Sequence, residues 1–248
     1  MIVNQIKDGW EIIFQPAHGL LAAQIAHKYQ ADKFVKNYLI ETVTAIQSHD
    51  DHQIDFDKKN YVTDVGAPKD FSLETSNQNK ICQQVSNVTA EAFRKSCWTG
   101  VLVSYHCEYL YRKADPKKKL RKLLDQLKKK RKEIFNSTSF TKEQMRSSYD
   151  ILRFCDRLSL ILTRKNIPEN NRKIEIITNH QGQMFFLKKC KEGHLKVEPW
   201  IFDEKKIMIK VETMILYQLH FKNDKDLQKA ISKGKIAEKR WIIKKNIK

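Results

Sequence analysis

The amino-acid sequence predicts an α+β protein in which a helical body is followed by a small antiparallel β-sheet. A change in the period of the apolar residues predicts this fold class. Apolar residues recur every three or four positions from about residue 16 to 165, and after Arg172 they recur every second position. We therefore expect an N-terminal β-hairpin at 1–15, a helical domain at 16–165 and a C-terminal β subdomain at 172–248, with the hairpin as a candidate to join the sheet.

The N-terminal elements follow from alternation, a turn and a proline. Residues 1–15 alternate between apolar and polar side chains on both sides of Asp8-Gly9, which predicts a hairpin. Pro16 stands where a helix can begin, and helical spacing continues to about Tyr29. A second helix is predicted over about 32–49.

The middle of the chain begins with a polar stretch at about 50–79, which predicts an ordered excursion without a helix. Helical spacing resumes near Ile81 and runs to about Arg112, with a break at 95–98 that indicates two helices. Two further helices are predicted, over 117–135 and from about 141 to 165.

The C-terminal third alternates with the period of a β-strand. The predicted strands are Ile174–Thr178, Gln183–Lys189, Leu195–Glu198, Ile207–Val211 and Ile215–Phe221. A short helix near 224–232 and a final strand near 241–243 complete the prediction.

Composition excludes several classes of protein. A chain of 248 residues with 41% hydrophobic content can bury a core of its own. It has no run of about 20 apolar residues and no apolar signal segment at its start, so we expect a cytoplasmic protein without a membrane partner. Its five cysteines form no CxxC pair, which argues against disulfides and a zinc ribbon.

The net charge of +18 favours polyanionic partners. Twelve lysines and arginines lie in 112–132, so nucleic-acid binding through this helix is one alternative. It is not favoured, because few aromatic residues stand between the cations to stack on bases, and an amphipathic helix explains the same pattern.

The candidate functional residues are histidines and aspartates on apolar helix faces. Polar groups there are buried and must be satisfied by hydrogen bonds or by a metal. Helical spacing places five such residues on four helices: His18, His49, Asp50, His106 and Asp156. The neighbouring Asp51 and His52 are candidates to orient these groups.

Imidazole and carboxylate side chains together suit a divalent cation of the Mn, Fe or Zn type, with Mg as a further candidate. One ligand from each of several helices can form such a site. For any single histidine the alternative is a hydrogen-bonded core residue, but the combination of His49-Asp50 with a preceding His and a distant Asp favours a metal site.

The order His, His-Asp, Asp on helices resembles the HD-domain superfamily of metal-dependent phosphohydrolases. The segments QPAHGLLAAQIA, TAIQSHDDHQIDF, GAPKDF, VLVSYHCEYL, FCDRLSLIL and EPWIF also resemble an uncharacterised bacterial family, the domain of unknown function 3891 family. The first resemblance implies an HD-like helical body. It also implies metal ligation by His18, His49, Asp50 and Asp156, with His106 as a fifth ligand or as a group facing the substrate.

An HD-like site implies hydrolysis of a small nucleotide-like phosphoester or phosphoanhydride, with Asp50 and His106 as catalytic residues. The first candidates for contacts with the phosphate are Lys58, Lys69 and Arg157. Two alternatives stay open: a non-catalytic helical protein that binds a metal or a ligand, and the nucleic-acid-binding protein described above.

Overall fold

The computed structural model describes residues 1–30, 36–51, 61–73, 77–113, 116–190 and 192–245. This part of the chain contains seven α-helices: Gln15–His27 (α1), Leu39–Ser48 (α2), Gln78–Lys95 (α3), Cys97–Arg112 (α4), Lys118–Ser137 (α5), Lys142–Thr163 (α6) and Asp224–Ser232 (α7). It also contains seven strands: Ile2–Ile6 (β1), Gly9–Ile13 (β2), Lys173–Thr178 (β3), Met184–Lys189 (β4), Leu195–Glu198 (β5), Lys206–Leu216 (β6) and Lys235–Lys244 (β7). Within these residues no helix is long and apolar enough to cross a bilayer.

Four of the seven described helices, α3, α4, α6 and α7, begin at a residue whose side chain caps them. At the start of α6, Thr141 and Gln144 form a reciprocal capping box. The break between α3 and α4 falls at Ser96, whose hydroxyl accepts a hydrogen bond from the backbone of Thr99 and so begins a new helix. The predicted division of this segment into two helices is confirmed. The second predicted helix is shorter than expected in the described residues, since α2 begins at Leu39.

The seven strands form one mixed sheet in the order β1-β2-β6-β7-β5-β4-β3. Neighbours are antiparallel except β5 and β7, which are parallel and in register at a single pair, Leu195 and Ile243. The hairpin joins the sheet through β2, which pairs with the end of β6 from Trp10 opposite Leu216 to Ile12 opposite Met214.

The expected HD-like all-helical body with a small antiparallel sheet is wrong. The sheet is large because β6 and β7 are eleven and ten residues long and share ten register pairs. Helices and sheet also share one hydrophobic core, which contains Ile2 and Ile209 from strands together with Leu21, Leu102 and Phe154 from helices. A helical body with a core of its own is therefore not formed.

Direct hydrogen bonds also join the helices to the sheet. The side-chain amide of Gln24 in α1 donates to the carbonyl oxygen of Lys210 in β6 at 2.9 Å and accepts from the Lys210 backbone N–H at 3.1 Å. At the end of α6, the carbonyl oxygen of Thr163 accepts a hydrogen bond of 2.8 Å from Asn4 in β1. These contacts fix α1 and α6, which carry two of the predicted site residues, against the sheet.

The lysine-rich helix α5 packs by its leucine stripe, as predicted, but not all of its cations face solvent. Arg131 is buried, forms an ion pair with Glu108 of α4 and donates a hydrogen bond of 3.2 Å to the hydroxyl of Ser104. Its guanidinium also lies 4.3 Å from the ring centroid of Tyr105. A buried arginine must be paired, and Arg131 therefore anchors α5 to α4.

Candidate metal centre

Four helices bring the predicted histidines and aspartates together. His18 lies in the first turns of α1, and His49 caps the C-terminus of α2 with Asp50 directly after it. His106 lies in α4 and Asp156 in α6. We call these five residues the His/Asp centre. The side chains of His18 and His49 are fully buried, whereas those of Asp50 and Asp156 are each 17% exposed, so the centre is open to solvent on its carboxylate side.

A glycine allows α1 and α2 to approach closely enough for the centre to form. A Cβ atom at Gly19 would clash with the backbone carbonyl oxygen of Gln47 in α2. With no side chain there, the rings of His18 and His49 lie 5.6 Å apart between their centroids. Any larger residue at position 19 would have to push the two helices apart.

The possible ligand atoms lie within a few ångströms of one another. His18 Nε2 is 3.2 Å and His49 Nε2 is 3.4 Å from the same oxygen of Asp156, Oδ1. His49 Nε2 is also 3.5 Å from Asp50 Oδ2. Among the described residues, His18, His49 and Asp156 form one group that could hold a metal ion, and His49, Asp50 and His106 form another, with ligand atoms within 4.8 Å in each group.

Hydrogen bonds on the far side of two rings fix which nitrogen faces the centre. His49 Nδ1 is 2.6 Å from the carbonyl oxygen of Ile46, which can only accept, so Nδ1 carries hydrogen. Ser159 donates its one hydrogen to the carbonyl oxygen of Asp156, so His18 Nδ1 donates to the Ser159 hydroxyl at 3.0 Å. When the two rings are neutral, their lone pairs are on Nε2 and point at the carboxylates. Such an arrangement requires a proton or a cation between the lone pairs.

The charged groups of the centre also favour a proton or a cation between the ligand atoms. Burial lowers the pKa of His49, but Asp50 and Asp156 outweigh this effect and raise that pKa to about 10. Burial raises the pKa of Asp156, but the neighbouring His18 and His49 side chains hold it well below its usual range. The carboxylates therefore favour a positive charge at this point, which a proton on His49 or a bound cation can provide.

His106 differs from His49 in charge. Burial and the nearby charge of His49 lower the pKa of His106 to about 4, so its ring is neutral near pH 7. Its ring centroid lies 4.9 Å from that of His49. Among the described residues, His106 Nδ1 and His49 Nε2 are buried nitrogen atoms without a hydrogen-bond partner. Because buried polar atoms are rarely left unpaired, these two nitrogens fit a metal site.

The predicted phosphate contacts are not part of these ligand groups in the described residues. Arg157 follows Asp156 directly in α6 and is exposed. Lys69 is half-buried, and its backbone N–H donates to the carbonyl oxygen of Tyr61 at 2.7 Å. Lys58 and His52 lie outside the described residues. Asp51 is half-buried directly after Asp50.

Two tyrosines lie beside His106 and an arginine lies beside one of them, and none of the three was among the predicted site residues. The ring centroids of Tyr149 and Tyr109 are 6.3 Å and 6.4 Å from that of His106. Arg153 lies 5.1 Å from the Tyr109 ring centroid, and its Nε is buried without a hydrogen-bond partner in the described structure, as is the hydroxyl of Tyr149. Tyr149 and Arg153 precede Asp156 by seven and three residues, so helical spacing alone could have placed them on its face.

Comparisons with known proteins find a family but no activity. Residues 1–218 match a family model described as protein of unknown function (DUF3891). No curated protein and no solved structure gives a match. The matched region contains every residue of the His/Asp centre and ends after β6.

Proposed function

Because the chain belongs to the DUF3891 family of proteins of unknown function, whose description assigns no activity, we propose a function from the chemistry of the His/Asp centre. We propose that the protein is a metal-dependent phosphohydrolase acting on a small nucleotide-like phosphoester or phosphoanhydride. One observation carries the proposal: imidazole nitrogens and carboxylate oxygens from four helices converge while two buried nitrogens have no hydrogen-bond partner in the described residues. The order His, His-Asp, Asp supports an HD-like use of these side chains.

The donor set indicates which ion fits. Three imidazoles and two carboxylates suit Mn, Fe or Zn better than Mg, which prefers oxygen ligands and keeps much of its water. His49 can offer only Nε2, because its Nδ1 donates to the Ile46 carbonyl. Both possible ligand groups contain His49, so they favour one ion held by members of both groups over two ions that each need this nitrogen.

The ion, when bound, would polarise a phosphoryl group and make water a better nucleophile at neutral pH. Asp50 and Asp156 face the open side of the centre, so a phosphate must approach past them, and their charges have to be balanced before it can do so. His106 is neutral near pH 7 because its pKa is lowered to about 4, and a neutral imidazole can ligate an ion or accept a proton from water.

The residues next to His106 support a nucleotide-like substrate. Tyr109 is half-exposed and offers a ring face on which a base can stack. Arg153 is partly buried, donates a hydrogen bond of 3.2 Å to Asp150 and retains an Nε–H without a partner in the described residues. A guanidinium beside an aromatic ring is a common combination for a phosphate and a base.

A hydrolysis assay with matched variants tests the proposal. Metal-depleted protein is supplied with Mn, Fe, Zn or Mg and tested on bis-p-nitrophenyl phosphate, p-nitrophenyl phosphate and nucleoside phosphates. We expect activity with at least one ion, and a loss of about 100-fold or more in Asp50→Asn and in His106→Gln, the range of acid–base contributions. His27→Gln, which changes an exposed histidine of α1 outside the centre, should keep full activity.

The same assay separates catalysis from metal binding without catalysis. A protein that binds the ion through the His/Asp centre but hydrolyses none of these substrates is a metal- or ligand-binding protein. If neither ion binding nor hydrolysis depends on Asp50 or His106, the proposal is wrong.

A further inference from the structure

A cavity lies away from the His/Asp centre, where strands β5 and β7 separate. The strands β5 and β7 are in register only at Leu195 and Ile243, so the edge of β7 before Ile243 has no strand partner on that side in the described structure. A cavity of about 670 Å³ occupies this position, closed by the end of α6 and by the turn between β4 and β5. No residue of the His/Asp centre lines it.

The lining of this edge cavity is cationic. Its basic residues are Lys165, Lys189, Lys239, Arg240 and Lys244, against three glutamates. Two of the glutamates are already paired with lining lysines: Glu11 lies 2.6 Å from Lys239, and Glu169 lies 2.8 Å from Lys189. Lys244 has no acidic partner among the described residues. The cavity therefore keeps positive charge that an anionic ligand could neutralise.

Two ring side chains in the lining narrow the ligand class. The side chain of His194 is only 10% exposed, and its Nδ1 is buried without a hydrogen bond in the described structure, although Glu192 Oε2 lies 3.3 Å away. Trp241 lines the same cavity and is partly buried. An indole face can stack on an aromatic ring, and a buried imidazole nitrogen can bond a polar group of the ligand.

The strand edge itself adds hydrogen-bonding groups. Neighbouring side chains of a strand point to opposite faces of the sheet. The cavity is nevertheless lined by four consecutive residues of β7: Lys239, Arg240, Trp241 and Ile242. The cavity therefore lies along the edge of β7, where backbone N–H groups that do not pair with β6 face outward. Such donors are suited to phosphate oxygens.

We propose that the edge cavity binds a small phosphate-bearing aromatic molecule of about the size of a mononucleotide. A volume of about 670 Å³ falls in the usual range for small-molecule sites. Lys244 and the strand edge would hold the phosphate, and Trp241 the aromatic ring. This site is independent of hydrolysis at the His/Asp centre.

Calorimetric titration with adenosine monophosphate tests the proposal, with inorganic phosphate and adenosine as separate probes. We expect the nucleotide to bind more tightly than either part, because both the cations and the indole contribute. Lys244→Glu should weaken binding about tenfold or more, since a hydrogen bond to a charged group has about this value. Trp241→Leu should weaken adenosine binding and leave phosphate binding unchanged.

Two controls locate the site. Lys235→Glu makes the same charge change on an exposed lysine of the same strand, about 30 Å from Lys244, and should leave binding unchanged. His49→Gln disables the His/Asp centre and should keep the binding that Lys244→Glu weakens. Circular dichroism shows whether each variant is folded.

The proposal is overturned if adenosine monophosphate does not bind the wild-type protein at millimolar concentration. It is also overturned if Lys244→Glu and Lys235→Glu weaken binding equally, or if His49→Gln alone removes it. In the last case the nucleotide binds at the His/Asp centre.

Discussion

Replacing Asp156 by Asn separates a metal ligand from a structural residue. The two side chains have nearly the same shape, so packing in α6 changes little. The negative charge that lies 3.2 Å from His18 Nε2 and 3.4 Å from His49 Nε2 is lost. If the His/Asp centre binds an ion, the variant should lose the ion and keep its fold.

The expected magnitude follows from the position of Asp156 between two histidines. Loss of a group that only orients a ligand weakens metal binding about 10- to 100-fold, so loss of a ligand itself should weaken it at least about 100-fold. The cost to folding is smaller, about 1–3 kcal/mol, because the buried His18 and His49 rings lose the negative charge beside them. The comparison variant Leu152→Ala, one turn earlier in α6 and fully buried, should cost about 2–5 kcal/mol.

Mass spectrometry of bound metal and thermal unfolding of the same samples measure both effects. We expect Asp156→Asn to contain little metal and Leu152→Ala to contain the wild-type amount per folded molecule. Each kcal/mol lost should lower Tm by about 2–4 °C in a chain of this size. An Asp156→Asn protein that keeps its metal and is only less stable would refute the metal-ligand role.

Three further predictions concern other parts of the protein. Adding a chelator should lower the Tm of the wild type but not of Asp156→Asn, since an ion at 100 times its Kd stabilises a fold by about 2.7 kcal/mol; equal shifts would contradict this. Hydrogen bonds with Asp150 and Glu143 raise the pKa of His180 above that of the unfolded chain. His180 should therefore stabilise the fold fully below about pH 6.5, and this contribution should be lost as pH rises through the raised pKa. Urea unfolding of the wild type and of His180→Gln at several pH values measures it. We expect α5 to contribute little to duplex DNA binding. If it does bind duplex DNA, log K should fall with log salt at a slope of about −0.9 per phosphate contact. A slope that becomes flatter when four exposed lysines of α5 are replaced by Gln would contradict our expectation. These lysines are Lys128, Lys129, Lys130 and Lys132.

The positions of the candidate site residues could be predicted because a helix turns by a constant angle. A His or Asp three or four residues from buried leucines must share their face, as Asp156 does with Leu152 and His106 with Leu102. For the helix faces to meet, α1 and α2 must also approach each other closely, and Gly19 allows this. Nothing in the spacing indicates this contact.

The sheet was predicted less well, because strand pairing depends on residues far apart in the chain. The alternation of β6 continues through Thr213, a buried polar residue whose hydroxyl donates to the carbonyl oxygen of Ala237 at 3.4 Å. The sequence pattern predicted two strands, 207–211 and 215–221, on either side of it. Most of β7 was missed because its residues 235–240 are largely polar and exposed.

The pairing of β2 with β6 has a consequence for the order in which the chain folds. Trp10 pairs with Leu216, about 200 residues later, and contacts of such long range slow folding. During synthesis at about 5–20 residues per second, the hairpin leaves the ribosome about 10–40 s before β6 exists. A two-stranded hairpin is at best marginally stable alone, and its open edge can pair with other chains. The hairpin is therefore made long before β6 but is among the last elements to be fixed in place, and newly made chains should be most prone to aggregation in that interval.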